Sequence, residues 1–182
     1  MRLSRARCLG WRDGLGCTLA TRKMVNAIYA AAEVKLAPAP IAPGPAMITV
    51  PVFAKHNAMV RAQRLAQWSA HRPGARVAGD KKDVVISTKL ASVTNRVAIY
   101  GWHQTNGAPI QPLYLGHASA WVDYSHGIRL VLQKMTVNGE LKTVAEVLAD
   151  PTLAGLLSDE GVITEPRYPT NAFPPVPSQM KD

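Results

Sequence analysis

The hydrophobic period of the chain changes near Asp80, and this change limits the folds that the sequence can adopt. Before that point the apolar residues recur at helical spacing and form one stripe, made of Met24, Val25, Ile28, Tyr29 and Ala32. After it, β-branched and apolar residues form short runs that end at glycine, asparagine or proline. The sequence therefore predicts an α+β fold, in which N-terminal helices precede a compact antiparallel sheet or partial barrel.

Two helices are expected before the change in period. The first starts at Thr18 or Thr21, either of which could cap it, and runs to about Leu36. The second covers residues 52 to about 69. Four prolines lie in residues 37–46, so we expect an extended connector there, lying on the surface.

Short strands are expected after Asp80, followed by a short helix and one further helical turn. Asn106-Gly107 is a strong hairpin signal between the second and third strands, and Pro112 favours an edge position or a bulge for the third. The expected strands cover residues 82–87, 96–102, 110–115 and 116–131, and residues 128–137 continue the last of these or form a fifth. The helix covers 143–149 and the helical turn 153–157.

The 182 residues predict one domain with tails. Residues 1–17 form a basic tail or a truncated upstream element, 18–164 the domain, and 165–182 a proline-rich tail. Apolar residues make up 47% of the chain and charged residues 18%, which indicates a packed core rather than disorder. No apolar run is long enough to predict a membrane span.

The net charge of +9 comes from residues 1–100, whereas the remainder is slightly acidic. A basic half attracts nucleic acid or anionic envelope polymers. No nucleic-acid motif is present, so a nucleic-acid partner is not favoured. Cys8 and Cys17 lack metal or redox spacing, although one disulfide stays open. Residues 1–7 are basic without a following apolar region, so no signal peptide is recognised. The compartment stays open, and a cell-envelope location would require a missing upstream segment.

Residues 116–131 concentrate more chemically active side chains than any other stretch. Read as one strand, their alternation places a polar set on one face and an apolar set on the other. His126 interrupts the apolar set, and a bulge or turn at Gly127 could bring it to the polar face. The polar set holds His117, Ser119, Trp121, Asp123, Ser125 and Arg129.

Three chemistries fit this segment. Ser125 could attack a substrate with His117 or His103 as its base. One divalent metal could be held by three of His103, His117, Asp123 and His126; the alternative is no cofactor. In a third scheme, His126 and Arg129 hold an anionic or oxyanion-bearing substrate while another residue transfers protons. The candidate catalytic residues are thus His126, Asp123, Ser125, His117 and His103, and the candidate substrate-binding residues are Arg129, Lys82 and Trp102.

Two resemblances add to this interpretation. Tyr124-Ser125-His126-Gly127-Ile128-Arg129-Leu130 resembles the Ser-His-Gly-Cys-Ile-Arg-Leu signature of L,D-transpeptidases, but the cysteine nucleophile is missing, so that family's thiolate reaction cannot be carried over. A longer pattern over about residues 18–162 is similar to a family of uncharacterised bacterial proteins, which implies no activity. It comprises Lys82–Val85, Ala98–His103, Pro109–Leu113 and Val122–Val131.

The leading functional hypothesis is a small bacterial hydrolase of an amide or ester bond. Its substrate would be a cell-wall peptide or a lactone-like small ester. The alternative is a non-catalytic module that binds an anionic envelope polymer through the basic half, with salt-sensitive binding. A third hypothesis is a structural protein, in which the polar residues form an internal hydrogen-bond network around Asp123. The sequence leaves the oligomeric state open.

Overall fold

The computed structural model describes residues 15–67 and 74–168, and the fold is α+β as the sequence predicts. The expected basic tail lies almost entirely outside the described residues, as does most of the proline-rich tail. Not all helices are N-terminal, because two of them follow the sheets. The described helices are α1 (Arg22–Ala30), α2 (Val50–Ala66), α3 (Val144–Ala149) and α4 (Ala154–Leu157).

Local capping chemistry fixes where several helices begin. The Thr21 hydroxyl accepts a hydrogen bond from Met24 N, which starts α1. Thr143 and Glu146 form a reciprocal capping box at the start of α3. The prediction that the first helix reaches Leu36 is wrong. It ends at Ala30, because the chain then pairs as a strand with residues much later in the sequence.

The described strands form four small sheets instead of one antiparallel sheet or barrel. The strands are β1 (Cys17–Leu19), β2 (Val34–Lys35), β3 (Val77–Ala78), β4 (Lys82–Val84), β5 (Ile99–His103), β6 (Pro109–Tyr114), β7 (His126–Gly127), β8 (Leu130–Leu132), β9 (Lys134–Val137) and β10 (Glu140–Thr143). The largest sheet has the order β6-β5-β4-β7, in which β4 and β7 are parallel and the other pairs antiparallel. In the other sheets, β1 pairs with β8 and β9 with β10, both antiparallel, and β2 pairs with β3 in parallel.

β5 and β6 form an antiparallel hairpin, as Asn106-Gly107 predicts. β6, which is the predicted third strand, lies at the edge of the sheet, as Pro112 predicts. The register of the hairpin shifts between Ile99 and Gly101. Gly101 has φ +104° and Trp102 has φ +55°, which is unusual for a large side chain. This distortion breaks the regular alternation of side chains along β5.

The prediction of one continuous strand over residues 116–131 is wrong. Between an isolated bridge at Ala118 and the start of β8, only His126 and Gly127 are in strand conformation. Two reversals interrupt the segment, with Trp121 N donating to Ala118 O and His126 N donating to Asp123 O. Residues 128–137 divide between β8 and β9, which belong to different sheets. The face assignments that depend on strand alternation therefore fail.

The main core packs α1, β4, β5 and α3 around fully buried side chains, among them Leu19, Val85, Ile99 and Leu148. Tyr168 belongs to this core, beyond the domain boundary that the sequence predicts at residue 164. Its hydroxyl donates to Val85 O at 2.8 Å. Among the described residues, no helix combines the length and the apolar character that a membrane crossing requires.

Candidate functional site

The turn Asp123–His126 is the centre of the candidate site. One oxygen of Asp123, Oδ1, accepts the Ser125 N–H at 2.8 Å and the Ser125 hydroxyl at 2.6 Å. A side-chain acceptor for the amide two residues later is the Asx-turn arrangement that Asp favours. Because Oδ1 takes both donors, Oδ2 is left to face His126, whose Nε2 lies 3.5 Å away.

This turn brings three metal-ligating side chains together. His117, Asp123 and His126 each offer one donor atom, and all three atoms lie within 4.8 Å of one another. The rings of His117 and His126 have centroids 5.4 Å apart. We call these three residues the His-Asp-His cluster. His126 thus lies with the polar residues from which strand alternation would have separated it.

The His-Asp-His cluster reaches the surface through His117, which is half-buried, while Asp123 and His126 are buried. The His117 ring stacks on Trp121 at 5.5 Å and meets Tyr114 edge-on at 5.2 Å. Trp121 and Tyr114 are exposed, so a ligand that approaches His117 meets an aromatic rim. Two members of the cluster are therefore buried, and His117 is the member that faces the rim.

Hydrogen bonding and charge keep Asp123 ionised. Burial alone would raise the pKa of Asp123, but the hydroxyl and N–H of Ser125, together with His126 and Lys82, lower it below its ordinary value. Lys82 pairs with His126 in the parallel β4–β7 register, so both side chains leave the same face of the sheet. Its ammonium lies 5.5 Å from the Trp102 ring centroid, and burial lowers its pKa while Asp123 opposes that shift.

A group of polar side chains, which the sequence did not predict, holds the turn that carries the cluster. The Lys81 ammonium lies 2.8 Å from His56 Nδ1 and also donates to Tyr124 O. The Tyr124 hydroxyl accepts from Ile41 N at 2.7 Å and donates to Ile41 O at 2.9 Å. The proline-rich connector therefore fixes the turn that carries Asp123. Only the paired lysines at 81 and 82 hint at this in the sequence, because the contacts are distant along the chain.

Gly127 is required by packing and not by a bulge. It lies in β7, and a Cβ on it would come within 2.9 Å of Lys81 Cβ. Of the bulge or turn that the sequence allowed, the structure has a turn, and it precedes Gly127, with His126 N donating to Asp123 O. The Lys81 side chain can thus pack against residue 127 only because that residue has no side chain.

Arg129 faces a carboxylate other than Asp123. Its Nε lies 3.4 Å from both oxygens of Asp83. Burial raises the pKa of Asp83 to about 6, and the Arg129 guanidinium opposes that increase. Asp83 pairs with Gly127 in register, one position along from the Lys82–His126 pair, so it leaves the opposite face of the sheet. Arg129 therefore neutralises Asp83 instead of lining the cluster.

His103 and Trp102 do not join the cluster either. His103 Nε2 lies 2.9 Å from Asn26 Oδ1, and its ring stacks on Tyr29 at 4.5 Å. Burial and Arg129 lower the pKa of His103, so its ring is neutral at pH 7. Trp102 is buried, with its ring near His56 and Tyr124. Trp102 and His103, expected at one rim, therefore contact different parts of the molecule.

A separate cavity of about 380 Å³ lies beside His103. Its lining includes Asn26, Tyr29, Lys35, Tyr100, His103 and Thr105. The Asn26 amide oxygen accepts the Tyr100 hydroxyl at 2.9 Å, which closes one wall. His103 thus belongs to this cavity, between α1 and the β5–β6 hairpin.

Comparison of the chain with protein-family models, curated proteins and solved structures found no match. The site must therefore be interpreted from its own chemistry.

Burial separates the candidate nucleophile from the surface. Ser125 is fully buried, and its hydroxyl donates to Asp123. Ser119 is also buried, and its hydroxyl donates to the Asn95 side chain. A serine attack on a substrate would require both a new hydrogen-bond arrangement and access to solvent. The geometry favours chemistry at the His-Asp-His cluster, with Ser125 holding the carboxylate in place.

Proposed function

We propose that this protein is a hydrolase of an amide or ester bond, in which the His-Asp-His cluster activates the attacking water. The observation that carries the proposal is the convergence of His117, Asp123 and His126 within 4.8 Å beside an exposed aromatic rim. Cell-wall peptides and lactone-like small esters are the substrate classes that we propose. Such a site needs a base, an access route and a group that stabilises negative charge.

Each requirement has a residue that fits it. The cluster takes a proton from water, whose oxygen then forms a bond to the substrate carbonyl carbon. Lys82 leaves the same sheet face as His126, and this shared face supports the role that we propose for its ammonium, which is to stabilise the oxyanion that develops. The intermediate collapses with cleavage of the C–N or C–O bond. The leaving group takes the proton, giving a carboxylic acid and an amine or alcohol.

The test is turnover of a panel that contains a chromogenic ester, a lactone and peptidoglycan fragments. We expect His126→Ala and Asp123→Asn to lower kcat/KM by about 100-fold or more, because each changes one member of the cluster that activates water. Asp159→Asn is the matched control, since Asp159 is an exposed carboxylate that pairs with Arg22. Circular dichroism must show that each variant is folded. Absence of turnover, or turnover that both cluster variants retain, would refute the proposal.

A further inference from the structure

We propose that the His-Asp-His cluster is a zinc-binding site with three protein ligands and one open position. This proposal rests on the proposed function and deepens it, because a metal ion held by the cluster would replace a side-chain base as the agent that activates water. The three donors are two imidazole nitrogens and one carboxylate oxygen, all within 4.8 Å of one another. Imidazole suits zinc and other transition metals, whereas magnesium and calcium prefer sites composed of oxygen donors.

The spacing of two donors already approaches that of a tetrahedral site. Zinc binds imidazole nitrogen and carboxylate oxygen at about 2.0–2.2 Å, so two such ligands in a tetrahedron lie about 3.4 Å apart. His126 Nε2 and Asp123 Oδ2 are 3.5 Å apart. His117 is the half-buried member, so its side chain is the one with room to complete the site. Three protein ligands leave the fourth position for water, as in catalytic zinc sites.

The neighbours of the ligands resemble the supports that hold metal ligands in place. Both hydrogen bonds from Ser125 go to Asp123 Oδ1, which orients the carboxylate and leaves Oδ2 toward His126. His117 is confined between the Trp121 and Tyr114 rings. The turn itself is anchored through Tyr124. Ligands that are positioned in advance lose less conformational entropy when the ion binds.

Two nearby charges oppose a cation. Lys82 lies on the His126 face, and its ammonium rests near the Trp102 ring. It should weaken metal binding electrostatically, although it would also attract the oxyanion of a substrate. The Lys81 ammonium, which donates to His56 and Tyr124, adds a second positive charge near Asp123. A zinc ion would bring two positive charges against the one negative charge of Asp123, and it would lower the pKa of the water that it binds.

The experiment uses the full chain, stripped with a chelator and titrated with Zn²⁺ against a chromophoric competitor. We expect one equivalent to bind with a dissociation constant of about 1 μM or lower. His117→Ala, Asp123→Asn and His126→Ala should each weaken binding by about 100-fold. His117→Ala is the cluster variant that should disturb the fold least, because His117 is only half-buried. Co²⁺ substituted at the site should give the intense visible absorption of a tetrahedral ion.

Two further variants sharpen the result. Asp159→Asn should leave zinc affinity unchanged, whereas Lys82→Met should increase it, since it removes a like charge. Thermal melting should show that Zn²⁺ stabilises the native chain and Asp159→Asn, but not His117→Ala. Binding that survives all three cluster substitutions would assign the ion to another site and overturn the proposal. So would the absence of binding at about 100 μM Zn²⁺.

The outcomes for metal and for hydrolysis are separable. Cluster-dependent zinc binding without turnover of any substrate would support the metal site and refute the proposed hydrolase. Hydrolysis that depends on His126 but persists without zinc binding would refute the metal site and leave the hydrolase standing.

Discussion

Replacing Ser125 with alanine should destabilise the fold most at neutral pH and least in acid. The hydroxyl donates at 2.6 Å to Asp123 Oδ1, and both residues are buried. Alanine removes this donor without adding volume, while the backbone N–H of residue 125 can still reach the carboxylate. The effect therefore isolates one hydrogen bond to a buried charge.

A hydrogen bond to a charged group contributes about 1.5–3 kcal/mol to stability. For a domain of this size, a loss of about 2 kcal/mol lowers Tm by about 4–8 °C. The pKa of Asp123 is lower in the fold than its ordinary value, with His126 and Lys82 also facing it. Its stabilisation is thus fully present above the unfolded pKa of about 3.9 and is lost as pH falls through the folded pKa. The difference between native chain and variant should shrink below about pH 4.

The assay is urea unfolding of the chelator-treated protein at several pH values between 7 and 3, followed by circular dichroism. Ser92→Ala is the matched control, because Ser92 is exposed and its hydroxyl donates to Lys89 O. That control should change stability by no more than about 0.5 kcal/mol. A Ser125→Ala variant as stable as the control at pH 7, or a deficit that is constant down to pH 3, would contradict the structure.

Two other predictions concern the elements that hold the site. Gly127→Ala should destabilise the fold by about 1–3 kcal/mol, since its Cβ would meet Lys81 Cβ at 2.9 Å. The control is Gly155→Ala, which lies in open space on a helix and should stabilise the fold by about 0.5–1 kcal/mol. Chemical denaturation compares the two variants, and equal changes in the free energy of unfolding would contradict the packing. Burial raises the pKa of Asp83 to about 6, although Arg129 opposes the shift. The free energy of unfolding should therefore fall by up to about 3 kcal/mol as pH rises from about 4 to 6, and Asp83→Asn should remove that decline. Equal slopes of stability against pH for the native chain and the variant would refute this prediction.

The local signals in the sequence predicted much of the fold. Thr21 caps the first helix, Asn106-Gly107 lies in the β5–β6 hairpin, and Pro112 lies in its edge strand. These features depend on residues close together along the chain. The pairing of Val34 with Val77 and the parallel pairing of Lys82 with His126 depend on distant partners, so periodicity could not reveal them.

The residues of the site were easier to predict than their arrangement. The concentration of histidine, aspartate and serine in residues 116–131 identified His117, Asp123 and His126 as candidates. Asp123-Tyr124-Ser125 also contains the Asp-x-Ser spacing of an Asx-turn, a signal that the reading as a strand overlooked. His103 was assigned to the same site because Trp102-His103 ends a predicted strand, at a natural rim position. In the structure this strand end lies against α1, where His103 contacts Asn26 and Tyr29.

Chain reversal, and not the alternation of a strand, creates the His-Asp-His cluster. In a regular strand, residues 117 and 126 would be separated by about 30 Å at about 3.3 Å per residue. Their ring centroids are instead 5.4 Å apart, because the chain turns at Ala118–Trp121 and again at Asp123–His126. Asp123 has two roles in this arrangement, since one oxygen forms the second turn and the other faces His126. The site therefore depends on the same carboxylate for its shape and for its chemistry.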